Sequence, residues 1–543
     1  MTTFVVPDLI FINANVRTQD PDQPVAQAVA VKGRRIVAVG NTQTVKAMAA
    51  DHTEIIDLGG RLMLPGFTDA HFHYFDWALN NDSIDLSTAA SFGEMAEMVR
   101  QKAVAAGPGA WVTGNGFNET DWPENKIPDR DDLDRQAPDN PVCIWRCDLH
   151  LAVANSKALA LAGIDDKTLD PPMGVIARDK NGRVTGVLRE LAPNLIKNVI
   201  PEPDEKSLLD IMEQGFGFLH SLGITGIHDI RLMGGLDGPA SLRAWQRLRE
   251  ENRLNIRCHV SLPGEMTNEA IALGLRTGMG DDLLRIGHLK FFADGGMGAR
   301  TAWMNDAYLD AECGMPLTPV EELDDKIQRA DKAGLSVMVH AIGTRANREI
   351  VAIFKRIHDL EQSAVRVPHR IEHLQMVEPE DMDLLATLGN VIVSCQPNNL
   401  SLDISMIEQS VGERSGFTYP LKRVLDKKIP LILSSDAPVC NPKPVCGIFS
   451  AVNRTRMNRT PVGGWHMEHA LTVDEAVRGY TITPAVAACQ DDSLGSVTVG
   501  KFADLIVLDQ NLYGMDPLDI ADVKVDMTVF NGKIVHNRGK SKN

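Results

Sequence analysis

Long apolar runs, clustered cysteines and basic patches are what this 543-residue chain has least of. No run of roughly 18 apolar residues occurs, so the sequence offers no membrane span. The opening "MTTFVVPDLIFINANV" lacks a basic flank and carries Asp8 inside its apolar stretch, so it does not read as a signal peptide. The eight cysteines are scattered along the chain, which favours reduced thiols and a cytoplasmic setting. Cys143 with Cys147 and Cys440 with Cys446 are the closest pairs; neither has a second pair at zinc-finger spacing, and both read as buried or incidental thiols. No Lys/Arg cluster stands out, and 55 basic against 72 acidic residues leave a formal charge of −17, which argues against nucleic acid as a partner. What is present is length with 44% hydrophobic content, enough for roughly two to four domains or one large barrel with additions.

Both chain ends share one texture. Residues 9 to 65 alternate short β-type runs with turn residues, as a small antiparallel sheet would, and "LGSVTVGKFADLIVLD" and "KVDMTVFNGKIVHN" repeat the pattern near the C-terminus. The two ends read as one β-domain with the middle inserted. That middle alternates β-branched runs with helical segments such as "EELDDKIQRADKAG" and "NREIVAIFKRIHDLEQ". Eight strands are expected: "GFTDAHFH", "ITGIHDI", "NIRCHVSL", "IGHLKFFADG", "LSVMVHAIG", "HRIEHLQ", "VIVSCQP" and "PLILSSDAP". Eight β/α units point to a closed (β/α)8 barrel, with functional groups at the C-terminal ends of its strands. The long gap between His71 and His228 places an insertion after the first strand, at about 75–215, in the position of a lid or pocket wall.

His71 and His73 occupy i and i+2 of a strand and so face one side. Alone, such a pair is more often two hydrogen-bonded polar residues than a metal site. The other strand ends change that: Lys290, His340, His373 and Asp436 each follow an apolar run at the barrel mouth. Four histidines, a lysine and an aspartate suit a borderline divalent metal such as Zn²⁺.

On "LPGFTDAHFH", "LKFFADGGMGARTA", "VHAIG", "RIEHLQ", "SSDAPV" and "LGSVTVGKFADLIVLD", the chain resembles the amidohydrolase superfamily, in the family-3 branch that includes N-substituted formamide deformylase. The insertion resembles that branch as well, in "PDRDDLDRQAPDNPVCIWRCDLHLAVANSKAL" and "GVIARDKNGRVTGVLRE". The resemblance implies a (β/α)8 barrel over 66–484 and a β-sandwich built from 1–65 and 485–543. It also implies a metal centre that activates water. By position, His71 and His73 would hold one metal, His340 and His373 a second, and Lys290 would bridge them. Asp436 would touch the first metal and handle protons. A lysine ammonium has no lone pair, so bridging requires carboxylation to an anionic carbamate; the alternative is a plain lysine paired with Asp294 beside a single metal. Thr344, Gly296 and Ser434 depart from residues common among relatives, which touches substrate identity rather than the ligands.

The expected reaction is hydrolysis of a C–N bond in a small-molecule amide, with Asp436 as general base and then acid. A single-metal hydrolase of a cyclic amidine and a non-catalytic barrel relative are the competing readings. Candidate substrate contacts are His150 and, more weakly, Trp122 and Arg300. His228 reads as a hydrogen-bond partner lining the pocket, His288 and His369 as structural. Glu372 reads as a packing or supporting residue that points away from His373. "DGGMG" lacks a phosphate loop's ending and reads as a tight turn. A closed homodimer is the default assembly.

Overall fold

A computed structural model describes residues 5–79, 83–201, 204–234, 237–360 and 363–540. All eight expected strands form one parallel sheet in chain order: Phe67–Phe72, Ile224–Asp229, Arg257–Pro263, Leu284–Phe292, Val337–Ala341, His369–His373, Val391–Cys395 and Leu431–Leu433. The sheet curls until its ends meet. Phe72 bridges Ala437, and the Asp436 N–H donates to the His71 carbonyl at 2.8 Å, so the first and eighth strands close the barrel at the level of the expected ligands.

The surrounding helices follow from their apolar spacing. In Val320–Lys332 the buried residues Leu323, Ile327 and Ala330 recur at three- and four-residue intervals and form one stripe against the sheet. Thr344–Leu360 repeats this with Ile350, Phe354 and Ile357. The main core lies between sheet and helices, while the barrel axis is polar, with His228, His259, His288 and Arg370 all buried inside it.

The two chain ends combine as expected into stacked sheets. One has the order Arg35–Gly40, Ala28–Lys32, Leu9–Ile12, Glu54–Asp57; the other runs Lys533–Asn537, Val525–Phe530, Leu505–Leu508, Leu62–Pro65, Asn15–Arg17, Val25–Ala26. Leu505–Leu508 pairs with Leu62–Pro65, which joins C-terminal to N-terminal chain. Strand alternation explains why "LIFI" is apolar throughout: Leu9 and Phe11 enter the core between the sheets, and Ile10 and Ile12 pack on Val45 of the short helix Thr42–Lys46. The expected antiparallel pairing is corrected at two places. Leu9–Ile12 runs parallel to Glu54–Asp57, and Asn15–Arg17 parallel to Leu62–Pro65, because long connections carry the chain back to the same edge.

The insertion is a domain-like layer with its own mixed sheet, ordered Gly174–Arg178, Val184–Glu190, Leu151–Ala154, Val142–Arg146, Val112–Phe117, Ile84–Asp85. Helix Glu205–Ser221, which straddles the expected end of the insertion, packs on the barrel through Leu209, Met212, Phe216 and Leu219. No helix among the described residues is long and apolar enough to cross a membrane.

Candidate metal centre

The six expected ligands line one cavity at the barrel mouth, together with His150. His71 sits near the end of the first strand and His73 just beyond it, with ring centroids 5.3 Å apart. The outward nitrogen of each ring is spoken for. His71 Nδ1 meets Glu372 Oε2 at 2.5 Å, and His73 Nδ1 meets the Ile230 carbonyl at 3.1 Å. A ring that donates from Nδ1 keeps its lone pair on Nε2. Those two Nε2 atoms converge on Asp436 Oδ1, at 3.3 Å from His71 and 3.2 Å from His73.

Lone pairs gathered this closely repel one another unless a proton or a cation lies among them. His71 Nε2 is buried and has no hydrogen-bond partner. The His373 ring stands 5.1 Å from that of His71 and 4.5 Å from that of His340. Among the described residues, the ligand atoms of His71, His373 and Asp436 all lie within 4.8 Å of one another. Donor chemistry and spacing therefore fit a divalent metal. Burial drives the His373 imidazole down to about 3 and holds His71 and His340 below the ordinary histidine value. All three enter the centre as neutral rings, the form that binds metal. Burial opposes ionisation of Asp436, but positive charge on the facing His71 and a hydrogen bond from His73 outweigh it whenever those rings carry a proton, and hold the carboxyl below its usual range.

Lys290 is 2% exposed and its Nζ has no hydrogen-bond partner. The pairing with Asp294 is not formed. Asp294 Oδ1 accepts from the Ile342 N–H at 3.0 Å, and its Oδ2 accepts from the N–H groups of Gly343 and Trp303, each at 2.8 Å. Burial lowers the lysine to about 8, so a fraction of it is neutral amine near neutral pH.

Glu372 corrects its expected orientation. Simple alternation would turn it away from His373, yet both point into the barrel, because His373 adopts φ +72° and leaves the pleat; the expected supporting role holds, since Glu372 backs His71 and does not line the cavity. Asp436 has φ +63° in the same way. Glu372 also takes Arg370 Nε at 2.7 Å, and Arg370 Nη1 lies 2.8 Å from His228 Nδ1. His228 is thereby a partner within the barrel axis, stacked on His259 at 4.7 Å. His288 meets the Pro368 carbonyl, and His369 meets Asp331 at 3.1 Å, both away from the centre.

His150 reaches the mouth from the insertion. Its Nδ1 meets Glu190 at 2.8 Å, and its ring is 5.5 Å from His340. Burial opposes its protonation, and Glu190 outweighs that to raise it to about 9. Gly296 is small for this reason: a Cβ there would lie 3.0 Å from His150 Cδ2. Trp122 and Arg300 line no part of the cavity. Trp122 packs on Phe117 and Phe92 in the insertion core and donates to the Ala89 carbonyl at 2.9 Å, while Arg300 forks onto Asp310 at 2.8–3.2 Å. The cavity wall instead includes Arg146, Asp148 and Asp403, which carry no motif of their own. The one available signal was that Arg146 and Asp148 alternate with His150 in "RCDLH".

The sequence profile of the amidohydrolase family matches residues 54–536. N-substituted formamide deformylase of Arthrobacter pascens is 30% identical over 554 residues, covering 98% of each chain. Protein LONG AFTER FAR-RED 3 of Arabidopsis thaliana is 29% identical over 539 residues, or 97% of this chain and 91% of that protein. An uncharacterised metal-dependent hydrolase from Pyrococcus furiosus, 28% identical, superposes with a TM-score of 0.71 over 94% of this chain and 99% of its own. With the barrel, the sandwich of both chain ends and the converging ligands already in place, the profile match over most of the sequence shows that this chain belongs to the amidohydrolase family.

Proposed function

We propose that this chain hydrolyses the C–N bond of a small-molecule amide, with N-substituted formamides as the first class to examine. The observation that carries this reading is the convergence of bare imidazole nitrogens and the Asp436 carboxylate on one point of the cavity at the barrel mouth. The 30% identity to the Arthrobacter deformylase supports the choice of amide. His71, His73, His340, His373 and Asp436 would hold divalent metal, zinc being well suited to this donor set. When bound, such an ion supplies positive charge that polarises a carbonyl and lowers the pKa of water to about 7.

The chain's own residues do the rest. Asp436, ionised and at the centre of the cluster, takes the proton of the attacking water and delivers it to the departing nitrogen. Glu372 and the Ile230 carbonyl keep the His71 and His73 rings in register. His150, held protonated by Glu190, is placed to donate to the substrate from the lid side. Lys290 has the isolation and the lowered basicity that uptake of CO₂ requires; its neutral amine would add CO₂ and lose a proton to give an anionic carbamate, which would join the histidines and Asp436 in holding metal.

A hydrolysis screen of metal-loaded protein over formamides, acyl amides, cyclic amides and esters tests the reaction class. Turnover of formamides that falls by about 10²- to 10⁴-fold in Asp436→Asn, with metal content retained, is expected. Full activity of that variant, or turnover of esters alone, would refute the assignment.

A further inference from the structure

One acceptor on the cavity wall has no donor. Asp403 lies on helix Pro397–Val411, which follows the seventh barrel strand, and lines the same cavity as the metal centre. Its Oδ2 accepts from the Tyr419 hydroxyl at 2.5 Å and from the Gln375 side-chain amide at 2.9 Å. These two donors fix the carboxylate. Oδ1 receives nothing from the described residues and is not enclosed by protein, so it stays open to the cavity.

Neighbouring charge does not neutralise it. Arg146 is the guanidinium on this wall, and it is committed elsewhere: Nε to Glu119 at 3.0 Å, Nη1 to Asp148 at 2.7 Å and Nη2 to the Asn118 side-chain oxygen at 3.2 Å. Glu119, Asp148 and Asp403 thus share the Arg146 guanidinium, and the protonated His150 is paired with Glu190, so this wall of the cavity is left with excess negative charge. Burial raises the Asp403 carboxyl to about 6, which measures how poorly its charge is compensated within the protein. Met297, Leu402 and Met406 make the adjoining wall apolar.

We propose that Asp403 is the recognition point for a cation on the substrate, an ammonium or amidinium group carried on an apolar body whose other end is the scissile bond. This rests on the amide-hydrolysis reading for what lies at that other end. A cation completes an ion pair that the protein leaves half made, whereas a hydroxyl supplies a hydrogen bond without the charge, and an anion is repelled. The metal ligands sit at the inner end, so the two charged features of the cavity orient the substrate in one direction.

Calorimetric titration of the metal-loaded full chain with hexylamine, protonated at pH 7, and with hexan-1-ol separates charge from apolar burial. The wild type is expected to bind the ammonium at least about tenfold more tightly than the alcohol. Asp403→Asn is expected to bring the two within about twofold by weakening the ammonium alone. Equal affinities in the wild type, or a preference that survives Asp403→Asn, overturn the proposal. The wild-type comparison stands without the variant, so a failure of Asp403→Asn to fold does not shield it. An ammonium preference in a protein that hydrolyses no amide refutes the reaction class and leaves the cation subsite intact; formamide turnover without that preference does the reverse.

Discussion

Replacing Glu372 by Gln removes one buried charge that serves two partners. Glu372 is fully buried, and its Oε2 holds the His71 ring at 2.5 Å, while its Oε1 lies 2.7 Å from Arg370 Nε. The remaining polar partners of Arg370 are His228 Nδ1 and the Ala70 carbonyl, each at 2.8 Å and neither carrying a charge. Breaking a buried pair by removing one member costs about 3–5 kcal/mol, because the surviving ion stays desolvated. Loss of the carboxylate behind a ligating histidine lowers metal affinity by about 10- to 100-fold, or about 1.4–2.7 kcal/mol. Denaturant unfolding of the metal-free protein reads the first effect, and competition against a zinc chelator reads the second. In Glu372→Gln combined with Arg370→Gln, the stability loss is expected to recover in part and the affinity loss to remain, since only the former stems from the stranded guanidinium. Unchanged zinc affinity in Glu372→Gln would refute the argument that this carboxylate sets the His71 tautomer.

Lys290→Ala is expected to reduce bound metal from two equivalents per chain to one, measured by elemental analysis of protein purified without added metal; one equivalent in both proteins would refute a bridging role. Gly298→Ala places a Cβ 2.4 Å from Arg146 Nη1 and 2.6 Å from Asp148 Oδ2, so the lid must shift. Its expected signature is a KM raised about tenfold with metal content unchanged, and an unaltered KM would show that this contact does not shape the cavity. Burial lowers His259 to about 4, so it is neutral in the fold while the unfolded chain protonates near pH 6.5. The unfolded state then binds more protons as pH falls, and this residue's contribution, full above about pH 6.5, is lost between about 6.5 and 4. His259→Gln should flatten the stability profile there by about 1.4 kcal/mol per pH unit, as read by urea midpoints, and a slope equal to the wild type would contradict the assignment.

The barrel was legible because its strands announce themselves twice, by β-branched runs and by a polar residue at the end of each functional strand. What escaped depends on backbone torsion and long-range pairing, which residue type does not encode. Glu372 and His373 both point into the barrel only because His373 takes a positive φ, and the modest enrichment of histidine at positive φ does not single out this position. The sandwich was legible as strands but not as directions, since Leu9–Ile12 has the same composition whether its neighbour runs up or down. Trp122 and Arg300 read as weaker substrate contacts, a tryptophan to pack an apolar group and an arginine after a Gly-rich turn to bind an anion, yet each found a partner within the protein, the Ala89 carbonyl and Asp310. Asp403 had the opposite fate. It is an unremarked acid in a helical stretch until Tyr419 and Gln375 meet one of its oxygens and leave the other bare. The buried histidines make the same point most sharply: His71 and His228 are both strand histidines aimed into one barrel, and only the bonded partner separates them. A carboxylate behind His71 leaves the lone pair of its Nε2 unspent, while a guanidinium beside His228 spends its Nδ1 on the protein.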